Sequence, residues 1–171
     1  MGNNKIIAFT LIELLIVIAL LGALAVGLLA ALDPFEQFKK GTDTGVRNTV
    51  SEVHGAIIRY YAVAGNAMPW DPSTSIGPIN LSAGYLTVGL NKVVEAGELK
   101  SDFSTLAGDR LRNITVIGTR ESVTVCFRPE SKSFRSDPNT KYNSQGIEVT
   151  KNTQNCGDTN SPNFSCYWCV K

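Results

Sequence analysis

Glu13 is the only charged residue between Phe9 and Leu32. A carboxylate in an apolar run of 24 residues can do one kind of work well. It can pair with a cation in a low-dielectric surrounding, where an unpaired charge is costly. Near the end of the run it can also snorkel to a polar boundary. The second reactive group is Cys126, Cys156, Cys166 and Cys169. An even cysteine count in an exported domain reads as disulfides. Cys166-x-x-Cys169 has redox spacing as well, but a thioredoxin-type site sits at a helix N-terminus, and only Val170 and Lys171 follow. A four-cysteine zinc site usually draws on two such knuckles, and this chain holds one, so no metal site is expected. His54, the single histidine, stands beside Val53 as a boundary residue rather than a base. Asp158, Asn160 and Asn163 offer oxygen ligands, at a spacing that is not an EF-hand loop. No G-x-S-x-G, P-loop or H-E-x-x-H pattern occurs, so the reading is a non-enzyme with no catalytic residue and no cofactor.

The elements that would position these groups follow from periodicity. A helix of 24 residues rising about 1.5 Å per residue spans a bilayer core. Ala19, Ala23, Gly27 and Ala31 recur every fourth residue and line one helical face, where small side chains let helices approach closely. A cleaved secretory signal competes for this segment. Its apolar region is usually about 7–15 residues, but Ala23-Leu24-Ala25 would suit its cut and leave Val26 first. Lys5 on one side and Lys39, Lys40 and Arg47 on the other do not orient the span by charge. Asp33-Pro34 interrupts or restarts the helix. Val46, Val50, Val53 and Ile57 then form an apolar stripe, widened by Ile58, Tyr60 and Tyr61. That helix should end near Gly65-Asn66.

Trp70 to Tyr85, with Pro72, Gly77, Pro78 and Gly84, reads as an irregular loop. Leu86 to Val94 predicts a short helix closed by Gly97. Ile114 and Val116 share one strand face, as do Val123, Val125 and Phe127, with a hairpin loop over Gly118 to Glu121. A turn at Pro129 to Lys132 leads to a strand around Phe134, and Ile147 and Val149 suggest a fourth. The expectation is α+β: a helical spine with a small antiparallel sheet. Cys126 alternates with Val125 and Phe127 and so points away from their face. A C-terminal tail laid over that outer face would bring one of Cys156, Cys166 and Cys169 to it, with all three full pairings open. The net charge of +1 gives no strong nucleic-acid signal. Lys132, Arg135, Lys141 and Lys151, near Tyr142 or Trp168, are a weak basic cue.

A short leader whose one charge is Lys5, followed by Phe9-Thr10-Leu11-Ile12-Glu13-Leu14 and the apolar run, resembles the N-terminus of type IV pilins and type II secretion pseudopilins. The resemblance implies a cut between Ala8 and Phe9 by a prepilin peptidase and N-methylation of Phe9. Ala8 stands where that family usually has Gly. It implies an assembly role for Glu13, which meets the new amine of a neighbouring subunit; an i,i+4 pair inside one helix is the local alternative. It implies leader 1–8, transmembrane and assembly helix 9–32, amphipathic continuation 33–66, and an α+β head over 67–171 with a cysteine-containing C-terminal region. Family members often carry a helix-breaking Pro within the run; here the first is Pro34, and Gly22 and Gly27 are the weak points. The function implied is a structural pilus subunit that partners itself in a helical filament and uses an assembly ATPase and platform. It would be single-pass in the inner membrane with its head outside, then extracellular. A type II secretion pseudopilin and a minor pilin binding DNA or a surface are the alternatives.

Overall fold

The computed structural model describes residues 9–31, 33–70, 75–152 and 154–171. Lys5, Ala8, Leu32 and Pro72 lie outside them, as does the side chain of Ala31. The chain divides into two compact units, one ending at Gln37 and one running Phe38–Lys171.

The first unit is built on α1, Leu11–Ala31. Leu, Ile, Val and Ala surround it, so the helix has no polar face to turn to water. Pro34 opens α2, Pro34–Val63. Asp33 caps it, its Oδ1 accepting the Glu36 N–H at 3.3 Å, and Pro34 occupies the first helical position, where a missing N–H costs nothing. The Asp33-Pro34 step therefore restarts a helix.

In the second unit α2 buries Val46, Val50, Val53, Ala56 and Ile57. This is the expected stripe, except that Ile58 is 42% exposed; one position past Ile57, it turns about 100° away from the core. Gly65 and Asn66 both have positive φ, 69° and 61°, and end the helical run. The sheet comprises β1 (Ile76–Asn80), β2 (Ile114–Gly118), β3 (Val123–Phe127), β4 (Thr140–Tyr142) and β5 (Tyr167–Val170), all antiparallel, in the order β1-β2-β3-β5-β4. Ile114 faces Phe127 and Val116 faces Val125, and Phe127 faces Trp168. These side chains share one core with the α2 valines. Helix α3, Gly84–Glu95, closes at Gly97, whose φ of 80° lets the Glu98 N–H return to Val93 O at 3.0 Å, as in a Schellman end. Arg59 then ties α2 to that end, its Nε 2.7 Å from Glu98 Oε2.

Three expectations are corrected. The segment read as a loop contains β1; Pro78 and Gly77 hid it, and both are tolerated because β1 is an edge strand whose outer N–H groups need no partner. The region around Phe134 is not a strand but a helical turn, Lys132–Ser136, after α4 (Phe103–Ala107) and hence α5. Ser131 Oγ accepts the Phe134 N–H, and one buried aromatic suffices to seat so short a turn. Ile147 is 59% exposed, and only an isolated bridge, Tyr142 to Glu148, forms there. Asn143 Oδ1 accepts the N–H groups of Gln145 and Ile147, and that side-chain turn competes with strand pairing.

Cys126 is joined to Cys169, and Cys156 to Cys166. Cys169 reaches Cys126 from beside it, as its register partner on β5, not as a tail lying over the face. The Cys166-x-x-Cys169 thiols go to different partners, which spends the sulfurs that a zinc or dithiol site would use. Cys156, Cys166 and Phe164 form a second small core against Val149.

Asp43 is 2% exposed and joins α2 to the segment after β3. Its Oδ2 accepts from Ser131 Oγ at 2.6 Å and Ser131 N at 2.8 Å, and its Oδ1 from Glu130 N at 3.1 Å. Asp43→Ala would strand the buried Ser131 groups, each costing about 1–3 kcal/mol. The expected loss is about 3 kcal/mol in urea unfolding of the detergent-solubilised chain, with an unchanged slope. A loss under about 0.5 kcal/mol, within the range of ordinary surface substitutions, would show the network carries little.

Candidate functional site

The N-terminal turn of α1 is built by Thr10 and Glu13. Thr10 precedes the first helical residue, Leu11, and Glu13 is the third. Glu13 Oε2 accepts the Thr10 N–H at 2.9 Å and the Thr10 hydroxyl at 2.7 Å. The Glu13 N–H in turn reaches Thr10 Oγ1 at 3.3 Å. This reciprocal arrangement is a capping box, and the carboxylate also suits the positive end of the helix dipole. Thr10 is thus the partner that fixes the Glu13 carboxylate. The pattern T-x-x-E before an apolar run carried its signal.

The helix that follows is bare. Every residue from Phe9 to Leu29 is exposed, and Leu11–Leu29 is long and apolar enough to cross a membrane. Ala19, Ala23 and Gly27 fall on one face by their spacing, and a Cβ at Gly22 or Gly27 would meet nothing within 4 Å. So large an apolar surface requires lipid or other helices around it. The site thus offers a fixed carboxylate at one end of an apolar rod.

Residues 3–29 match the family described as a prokaryotic N-terminal methylation motif. Over that N-terminal stretch the chain is similar to prepilins. That motif is the hallmark of type IV pilins and pseudopilins, and the α+β architecture is pilin-like. No curated protein and no solved structure matches the chain.

The remaining candidate groups serve the head. Asp158 Oδ1 accepts the Asn160 N–H at 2.9 Å and Asn163 donates its N–H to Ser161 Oγ, so these residues build turns. Among the described residues no group of three or more His, Cys, Asp and Glu could hold a metal ion. Of the basic residues, Lys141 is paired with Glu148 at 2.7 Å, and Lys151 donates to Asp137 O at 2.7 Å.

His54 is half-buried on α2, hydrogen-bonded to the Val123 backbone. Its Nε2 is buried with no hydrogen-bond partner among the described residues. Burial pushes its pKa below the ordinary histidine value, with the Val123 bond opposing. A depressed folded pKa means the neutral ring supports the fold above the unfolded value of about 6.5. That support is lost as pH falls through the lower folded value. In thermal unfolding between pH 7.5 and 5, His54→Gln should therefore lose less stability than the parent. Parallel curves would remove His54 from the acid response.

Proposed function

We propose that this chain is a structural subunit of a type IV pilus. The observation that carries the reading is Glu13 held by Thr10 at the start of a fully exposed apolar helix. The prepilin peptidase cuts between Ala8 and Phe9 and methylates the new Phe9 amine. The cut leaves the Thr10 peptide N–H in place, so the capping box survives it. The new amine then lies one residue from the nitrogen already 2.9 Å from Glu13 Oε2.

Before assembly the subunit rests in the membrane as a single span, 9–32, with 33–66 continuing as an amphipathic helix and the head, 67–171, outside. An assembly ATPase and platform drive its extraction. In the filament the face of Ala19, Ala23, Gly27 and Ala31 allows close helix approach, and Glu13 of an incoming subunit meets the amine of its neighbour. Opposite charges in an apolar surround attract strongly, and each alone is costly. The chain's role is non-covalent assembly, without catalysis of its own.

The test combines peptide mass of the mature N-terminus with electron microscopy of the surface. A methylated Phe9 terminus and long filaments containing the chain support the reading. A Val26 terminus would mark an export signal and end it. The same Phe9 terminus with only short, envelope-confined fibres would assign the chain to type II secretion.

A further inference from the structure

The sheet face turned away from α2 carries a basic groove at one end. Strand register explains its membership. Thr115 stands opposite Asn80 on β1 and Cys126 on β3, and Cys126 opposite Cys169 on β5. Neighbours along a strand alternate, so these residues occupy the face opposite Val116 and Val125. Arg128, two residues past Cys126, and Tyr167, two before Cys169, continue that face side by side. Arg112 and Asn113 end the 3₁₀ turn Gly108–Asn113 and close the rim. Asn80, Arg112, Asn113, Thr115, Arg128 and Tyr167 line an open groove of about 300 Å³, the lower end of the range for small-ligand sites.

The charges in the groove are unequal in availability. Arg135 is already committed: its Nε donates to Pro129 O, its Nη1 donates to Thr159 O and Ser161 O, and it lies over the Phe164 ring. Arg128 makes one long bond, 3.4 Å to Pro162 O. Arg112 is 3.6 Å from Asp109, with both side chains largely exposed. Each guanidinium has five N–H donors, so Arg112 and Arg128 keep most of theirs. The carbonyls of Thr159, Ser161 and Pro162 all lie in the loop closed by Cys156–Cys166, which thereby holds one wall in place. Glu130 is the acid of the lining.

We propose that this groove binds a carboxylate-bearing sugar, a uronate unit, with its carboxylate on Arg112 and Arg128. A guanidinium fork matches a carboxylate in two parallel hydrogen bonds. The amides of Asn80 and Asn113 both donate and accept, which matches sugar hydroxyls that also do both. Phosphate would satisfy the guanidiniums but leave those amides without work, and Glu130 opposes a more highly charged anion.

The test is an NMR titration of the full chain in detergent micelles with glucuronate, glucose and inorganic phosphate. Glucuronate should shift the Arg112, Asn113 and Arg128 signals saturably, with glucose and phosphate at least about tenfold weaker. Arg112→Gln and Arg128→Gln should each weaken glucuronate about tenfold, the loss of one charge-assisted contact. Lys141→Gln, outside the groove, should change nothing. No saturable glucuronate binding, phosphate binding as tightly, or full affinity in the folded arginine variants overturns the proposal. If Arg128→Gln disturbs the backbone spectrum, the largely exposed Arg112 decides alone.

Discussion

Glu13→Ala is expected to leave a chain that accumulates in the membrane but enters no filaments. The two effects have opposite sign. Removing the carboxylate eases insertion, since an acid such as Asp costs about 2.5–3.5 kcal/mol at mid-helix and less near an end. On the proposed assembly it also removes the counter-charge for the Phe9 amine of a neighbour. Breaking a buried pair costs about 3–5 kcal/mol, more than two orders of magnitude in each association step. Glu13→Gln separates charge from cap. Glutamine can still accept both Thr10 hydrogen bonds, so a charge-driven assembly fails with Gln as with Ala. A cap-driven one survives with Gln, because a capping box accepts either residue. Filament counts by electron microscopy, set against the membrane amount by immunoblot, read both. Normal filaments from Glu13→Gln would sink the charge-pairing account.

Replacing Cys126 and Cys169 together by Ser should cost the head about 4 kcal/mol in the chain-entropy account of disulfides. The bond closes a stretch of 43 positions, and it clamps β5 to β3 within a ladder of only three register pairs. Total stabilities are about 5–15 kcal/mol, so the loss would be a large part of the whole. Cys156 and Cys166, 10 positions apart, close a shorter loop worth about 3 kcal/mol by the same reasoning. Urea midpoints of the two double variants in detergent test the ranking. An equal loss, or a larger one for Cys156 and Cys166, would mean that local strain or small-core packing outweighs loop length.

Legibility varied with the range of the interactions involved. The α2 stripe was readable because Val46, Val50, Val53 and Ile57 recur at helical spacing and nothing else explains that order. The β2–β3 hairpin was readable because Ile114, Val116, Val123 and Val125 alternate across a short turn. β1 was not, because an edge strand with Gly77 and Pro78 needs the neighbouring β2 to exist at all. Phe134 and Ile147 misled in opposite ways. One is a single buried aromatic on a helical turn, the other an exposed aliphatic after a side-chain turn at Asn143. Isolated apolar residues carry no period, and period is what distinguishes a strand from its alternatives. At the candidate site, Glu13 stood out as a lone charge in an apolar run, while Thr10 was hidden by being ordinary in type.

By its own order of residues the chain determined the apolar rod, the acid at its head, the cut-and-methylation motif and the helical stripe that follows. Each rests on neighbours within a few turns, and local spacing is written in sequence. Tertiary structure alone decided that Cys126 joins Cys169, that Asp43 holds Ser131, and that arginines from the 3₁₀ turn and the end of β3 share one groove. Those contacts join residues on separate elements, and their partners are chosen by strand register and by which buried polar group must be satisfied, neither of which a linear pattern records.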